Sequence, residues 1–425
     1  MVTGSGGNVY KRPALHARDL MSSLRRITKS ASLPARIRPV ALLLLATSVA
    51  NAQWQVQNSH SHAGLRGIHY VGRGVAWASG TRGTVLRTID DGETWQSCAV
   101  PSGGEALDFR AVQAFDASTA IVMSSGTGDL SRLYKTTDGC KSWKLIWTNP
   151  DAPNDGFYDA LLFITPKIGL VFGDPAHGST RNPVESSYFI FRIRVTHDGG
   201  ETWIPIVSFG KPGDNLVPLP NDGIFAASNS SAVARDGTLW IGTGGSARVL
   251  KRDLYRTPEQ MAYAFEASHC AGNLDPFSHS CGIPWSDWHN VSTPLAGGSA
   301  TSGIFSLAFR TTRIGVAVGG DYKKADESER TAAYTVDGGE HWLAAEKPPH
   351  GFRSAVAYEQ ATNGWIAVGP NGTDISRDDG RTWIALKPKT GEPPDADQNW
   401  NALSLPFAVG PDGHIGKRAA VRPAR

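Results

Sequence analysis

One octet recurs through this chain: TIDDGETW at 88–95, TTDGCKSW at 136–143, THDGGETW at 196–203, TVDGGEHW at 335–342 and SRDDGRTW at 376–383. Its aspartate can accept backbone N–H bonds inside a tight turn, and its glycine takes positive φ at little cost. The flanking Thr and Trp suit strands, and Trp offers a large surface to pack. Each octet therefore reads as a hairpin turn that staples itself and then buries an anchor. The positions concerned are Asp90, Gly92 and Trp95; Asp138 and Trp143; Asp198, Gly200 and Trp203; Asp337, Gly339 and Trp342; and Asp378, Gly380 and Trp383. Cys140 replaces the second glycine in one copy and His341 the threonine in another. On these grounds the octets are framework and not five reactive sites.

A second repeat runs in step. Apolar strands ending in glycine occur at 74–80, 120–126, 168–173, 238–242, 314–319, 364–369 and 407–410, which makes seven. Upstream of most lies another short apolar strand, such as LRGIHYV at 65–71, FRAVQAF at 109–115 or FRSAVAY at 352–358. Strand, strand ending in Gly, strand, octet turn and Trp strand, repeated seven times, predict an all-β, seven-bladed β-propeller of four-stranded antiparallel blades. The fourth unit lacks the octet. Its third strand runs into an insertion at about 255–287, and DWHNV at 287–291 supplies its Trp strand. The seventh unit lacks an outer strand, and WQVQNS at 54–59 is expected to supply it, closing the last blade and removing an exposed edge.

Basic residues precede an apolar stretch, VALLLLATSV at 40–49, that is too short to span a bilayer, and ANA follows at 50–52. This is the pattern of a secretory leader, so residues 1–52 are expected to be cleaved, leaving 53–425 as a single soluble propeller domain, possible as a monomer. Residues 1–52 carry eight Lys/Arg and one Asp, so their removal turns the formal charge from +3 to −4. The basicity belongs to the leader and gives no ground for a nucleic-acid partner. In an exported chain, Cys270 and Cys281 are expected to pair across a short loop, which leaves Cys98 with Cys140. His269, Cys270, His279, Cys281 and His289 have the chemistry of zinc ligands, but the oxidising compartment favours a disulfide with surface histidines. No metal and no cofactor is expected.

Propeller strands alternate direction, so the starts of the first strands share a face with the loops after the second strands. The octet turns fall on the other face. On the first of these faces the repeats align Arg66, Arg110 and Arg353, with Asp159 and Asn401 in the same slot of the third and seventh units. Three arginines there predict either a cationic mouth for an acidic segment or ion pairs with neighbouring acids such as Asp108 and Asp159. For a two-carboxylate glycoside hydrolase, the runner-up, Asp159, Asp174 and Asp321 are the candidates on that face. A carbohydrate-binding propeller without catalysis is the third alternative. Trp147, Trp285 and Trp400 are the tryptophans that the repeat leaves least constrained.

The octet resembles the Asp-box, or bacterial neuraminidase repeat. The whole of 53–425, with its DGG-TW turns, its LRGI and FRAV strand openings and its N-terminal Trp strand, is similar to the photosystem II stability/assembly factor family. That resemblance implies a non-enzymatic binding scaffold or assembly factor for a protein partner in the cell envelope, docking through Arg66, Arg110 and Arg353. It also implies a periplasmic or extracellular location, or the thylakoid lumen in a photosynthetic source. Sialidases share the octet, but their early Arg–Ile–Pro motif is absent here.

Overall fold

The computed structural model describes residues 54–150, 156–177, 189–205, 217–253, 288–388 and 395–418. The expected leader, the insertion at about 255–287 and the Cys270–Cys281 pair lie outside the described residues. The described strands form seven four-stranded antiparallel sheets, six of them running in sequence order from an inner first strand to an outer fourth. Blade 1, for example, is built from Leu65–Gly72, Val75–Gly80, Val85–Thr88 and Gln96–Ser97. Blade 7 takes Ala402–Ser404, Phe407–Val409 and Ile415–Arg418 from the end of the chain and its outer strand, Trp54–Gln57, from the beginning. Trp54 faces Arg418 and Gln57 faces Ile415 in that pairing.

Blade 4 opens with Ala232–Arg235, a strand that the apolar repeat does not reveal. Two of its four residues are only partly buried and the last is exposed, so its pattern is weak. In blade 6 the first strand begins at Ala355, later than the FRSAVAY segment suggests.

The octets have the geometry their composition predicts. In the first copy, Thr88 donates its hydroxyl to Asp90, whose carboxylate accepts the Thr94 N–H at 2.9 Å and the Thr94 hydroxyl at 2.5 Å. The Gly92 N–H returns to the Thr88 hydroxyl at 2.9 Å. Asp91 and Gly92 both have positive φ, 63° and 86°, as do Asp379 and Gly380 in the fifth copy. Such a pair twists the backbone in the sense a two-stranded ribbon requires, and glycine in the second place bears it without strain.

What these turns hold together is the ring. A Cβ on Gly200 would meet Ile121 of blade 2 at 2.8 Å, and one on Gly380 would meet Val316 of blade 5 at 2.7 Å, so each turn packs on the preceding blade. The tryptophans follow the same rule. Seven hydrophobic clusters lie between successive blades, and Trp54, Trp95, Trp143, Trp203, Trp288, Trp342 and Trp383 each serve one of them. Burying a large aromatic in each seam contributes several kcal/mol per seam at ordinary transfer energies.

Side chains on the inner strands add polar staples. The Leu161 N–H donates to Asn229 at 2.8 Å, the Val356 N–H to Ser306 at 3.0 Å and the Tyr70 N–H to Ser404 at 2.9 Å, each between adjacent blades. Cys98, beyond the outer strand of blade 1, is disulfide-bonded to Cys140 in the octet of blade 2, with Cα atoms 5.2 Å apart.

Candidate functional site

The inner strands of four blades share one irregularity. Pairing with the second strand skips a residue between Leu65 and Gly67, between Phe109 and Ala111, between Tyr158 and Ala160, and between Ile304 and Ser306. A bulge of this kind re-aims one side chain out of the sheet. The residues so displaced are Arg66, Arg110, Asp159 and Phe305, all at the start of the inner strand and so at the mouth of the central channel. The glycine ending the second strand is part of the device. Gly80, Gly173 and Gly319 lie against the carbonyls of Gly64, Phe157 and Gly303, where no Cβ fits.

The same carbonyl-to-glycine contact fixes the register of blades 6 and 7. In blade 7 it joins Asn399 to Gly410, which puts Asn401 in the displaced slot; its amide donates to the Leu65 carbonyl at 2.8 Å and ties blade 7 to blade 1. In blade 6 it joins Phe352 to Gly369, so the slot belongs to Ser354. Arg353 is therefore one residue out of step with Arg66 and Arg110, in the position of Leu65, Tyr158 and Trp400. A slip of one residue sends a side chain to the opposite side of a strand.

Arg353 has no exposed side-chain surface. Its guanidinium pairs with buried Asp374, and it donates at 2.6 Å to both the Phe352 carbonyl and the Asn371 side chain. His350 closes the group at 2.9 Å from Asp374. Of the two roles open to the arginines, this one has the ion-pair role. Removing one partner of such a buried pair costs about 3–5 kcal/mol.

Arg66 and Arg110 stay at the surface, with 36% and 29% of their side chains exposed. Both turn to one acid: Arg110 Nε donates to Asp108 at 2.8 Å, and Arg66 Nε stands 3.8 Å from the same oxygen. Burial, and after it the Arg110 charge, pull the Arg66 pKa down against the pull of Asp108. One carboxylate for two guanidiniums leaves donors over.

Beside them, Asp159 is buried, and its Oδ2 has no hydrogen-bond partner. Burial first and the Asp174 charge second push its pKa well above the usual carboxylate range, while Arg110 opposes them. Asp174 accepts the Ile224 N–H of the segment entering blade 4 at 2.8 Å, and burial raises it to about 6. Burial and the neighbouring carboxylate both favour the protonated form of Asp159. Asp321, the third acid considered, lies in blade 5 and caps its own turn by accepting the Lys323 N–H at 3.1 Å. The structure thus brings Asp159 and Asp174 together and uses Asp321 elsewhere.

The mouth continues from the acid pair into aromatic residues that the repeat pattern did not single out. Phe225, next to Ile224, stacks on Phe305 with centroids 3.7 Å apart. Phe305 in turn meets Phe352 at 4.6 Å and Tyr322 at 6.1 Å, both edge-on. Counting back from the strand-ending Gly319 would have placed Phe305 in the slot; Phe225 and Tyr322 sit in loops and carry no repeat signal.

At the opposite end of the inner strands an open cavity of about 520 Å³ is lined by Val233, Arg235, Phe309, Arg310, Tyr358 and Gln360. Arg310 there is already engaged by Asp379 through two hydrogen bonds. Among the described residues no group of three or more His, Cys, Asp or Glu is arranged to hold a metal ion.

No family model matches the chain. The xyloglucanase Xgh74A of Acetivibrio thermocellus is 28% identical over 167 residues, which cover 34% of this chain and 18% of that protein. The chain thus spans less than a fifth of that curated relative. Among solved structures, "YCF48 bound to D1 peptide" superposes with a TM-score of 0.55 at 14% identity over 87% of this chain and 98% of that one. YCF48 from Cyanidioschyzon merolae gives a TM-score of 0.51 at 18% identity, over 86% and 99%. At these identities the likeness is one of fold, and by its fold this chain is a seven-bladed propeller of the arrangement seen in YCF48.

Proposed function

We propose that this chain is an exported, non-enzymatic docking scaffold whose channel mouth receives an acidic segment of a protein partner in the cell envelope. The observation that carries this is the pairing of Arg66 and Arg110, both solvent-facing, with the single carboxylate of Asp108. Guanidinium groups with donors to spare are suited to a carboxylate arriving from outside. A related fold seen with a bound peptide supports the choice of a protein partner, and the resemblance to photosystem II stability/assembly factors extends it to an assembly role. The leader-like residues 1–52 supply the export.

The test is a double charge reversal. Arg66→Glu with Arg110→Glu should abolish binding of a fluorescein-labelled acidic peptide and leave the thermal midpoint close to wild type, since both side chains are partly exposed. Wild-type binding should also weaken steeply with salt. Unaltered affinity in the double variant would end this reading.

A glycoside hydrolase is the second reading, favoured by the partial xyloglucanase match and by the Asp159–Asp174 pair with its raised pKa values. Its test is turnover of aryl glycosides and xyloglucan by purified protein, lost in Asp174→Asn.

A further inference from the structure

We infer that the mouth is two-sided, with an aromatic shelf of Phe225, Phe305, Tyr322 and Phe352 beside the arginines taking a large apolar side chain of the same acidic segment. This rests on the docking reading above and adds the identity of the segment: an extended peptide in which a carboxylate is neighboured by an aromatic or bulky aliphatic residue. The lining is continuous around the channel. Arg66 and Arg110 share Asp108, Arg110 acts on Asp159, Asp159 lies against Asp174, Asp174 holds Ile224, and Phe225 follows in sequence.

The shelf has a fixed base and an exposed top. Phe305 and Phe352 are buried, whereas Tyr322, set edge-on against Phe305, is 48% exposed. Val217 and Leu219, on the loop entering blade 4, are also exposed, by 52% and 48%. That loop is held from beneath. Buried Asp222 and Arg248 form an ion pair; Arg248 also donates to the Val217 carbonyl at 2.6 Å, and Asp222 accepts the Leu219 N–H at 2.8 Å. Two aliphatic side chains are thereby kept at the surface on an anchored backbone, at the cost of burying charges. Apolar surface contiguous with charged groups marks an interaction site, and a rigid aromatic anchor limits the entropy lost on binding.

The geometry favours a peptide over a sugar. Sugar rings stack on exposed aromatic faces, whereas Phe225 and Phe305 spend their facing sides on each other.

The experiment compares two fluorescein-labelled acidic peptides, identical except for Phe or Ser beside the carboxylate, by anisotropy against purified protein. Wild type should bind the Phe peptide about tenfold more tightly, a ratio of the size one buried anchor supplies. Tyr322→Ser and Leu219→Ser should each shrink that ratio toward one while leaving the Ser peptide's affinity unchanged. Arg66→Glu with Arg110→Glu should weaken both peptides alike. A wild-type ratio near one, a ratio untouched by either shelf variant, or displacement of the Phe peptide by a xyloglucan oligosaccharide would overturn the shelf. If neither peptide binds wild type at low salt, the docking reading itself falls.

Discussion

Asp174 holds its proton to about pH 6 because burial outweighs the one N–H bond it accepts from Ile224. In the unfolded chain the same group ionises near its ordinary value of 3.8. Between those values the unfolded state gives up a proton that the folded state keeps, so stability falls as pH rises from about 4 to about 6 and is level above that. Asp174→Asn keeps an oxygen for the Ile224 N–H and removes the ionisation. At pH 7 it should therefore raise unfolding stability by about 2–3 kcal/mol, as read from a roughly two-unit shift, and at pH 4 it should change little. Urea titrations at the two pH values measure this.

At the scale of the element, the octet turns are carboxylate-centred, and their response to acid has the opposite sign. The Thr94 hydroxyl, followed by the Thr94 N–H, pulls Asp90 down to about 2. In Asp138 the Ser142 hydroxyl and N–H do the same. A depressed acid contributes stability above its unfolded pKa and loses it as pH falls through the folded value, here between about 4 and 2. Asp378→Ala removes the acceptor for the Thr382 N–H and hydroxyl and should cost about 1–3 kcal/mol. Its thermal midpoint at pH 7 should drop, and the gap to wild type should narrow as the solution is acidified below the ordinary carboxylate range.

These turns were legible in the sequence because their geometry admits few residue types. The inner strands were less so. FRSAV at 352–356 looks like FRAVQ at 109–113, yet the close approach of Phe352 to Gly369 moves it by one place and buries Arg353. Ala232–Arg235 escaped notice because half-buried positions blur the alternation. Of the aromatic shelf, only Phe305 carried a signal, its place relative to the strand-ending Gly319. Phe225 and Phe305 lie far apart in the chain and meet only because blades 4 and 5 are neighbours in a ring.

For the whole molecule, the seam between blades 6 and 7 depends on a residue from the other end of the chain. Trp54 donates its indole N–H to Thr373 of blade 6 at 2.9 Å and packs against Trp400 of blade 7 with centroids 5.3 Å apart. Trp54→Ala should cost about 3–5 kcal/mol, as large aromatic truncations do. It should also free the Ile415–Arg418 strand edge, so that light scattering on heating sets in earlier than in wild type.

The partnership of Trp54–Gln57 with Ile415–Arg418 also dictates a timetable. The first of the described strands is synthesised more than three hundred positions before the one it pairs with. A chain that has folded only blades 1 to 6 carries an unsealed gap and a waiting edge strand. The final closure joins residues more than three hundred positions apart, a long-range step that is intrinsically slow.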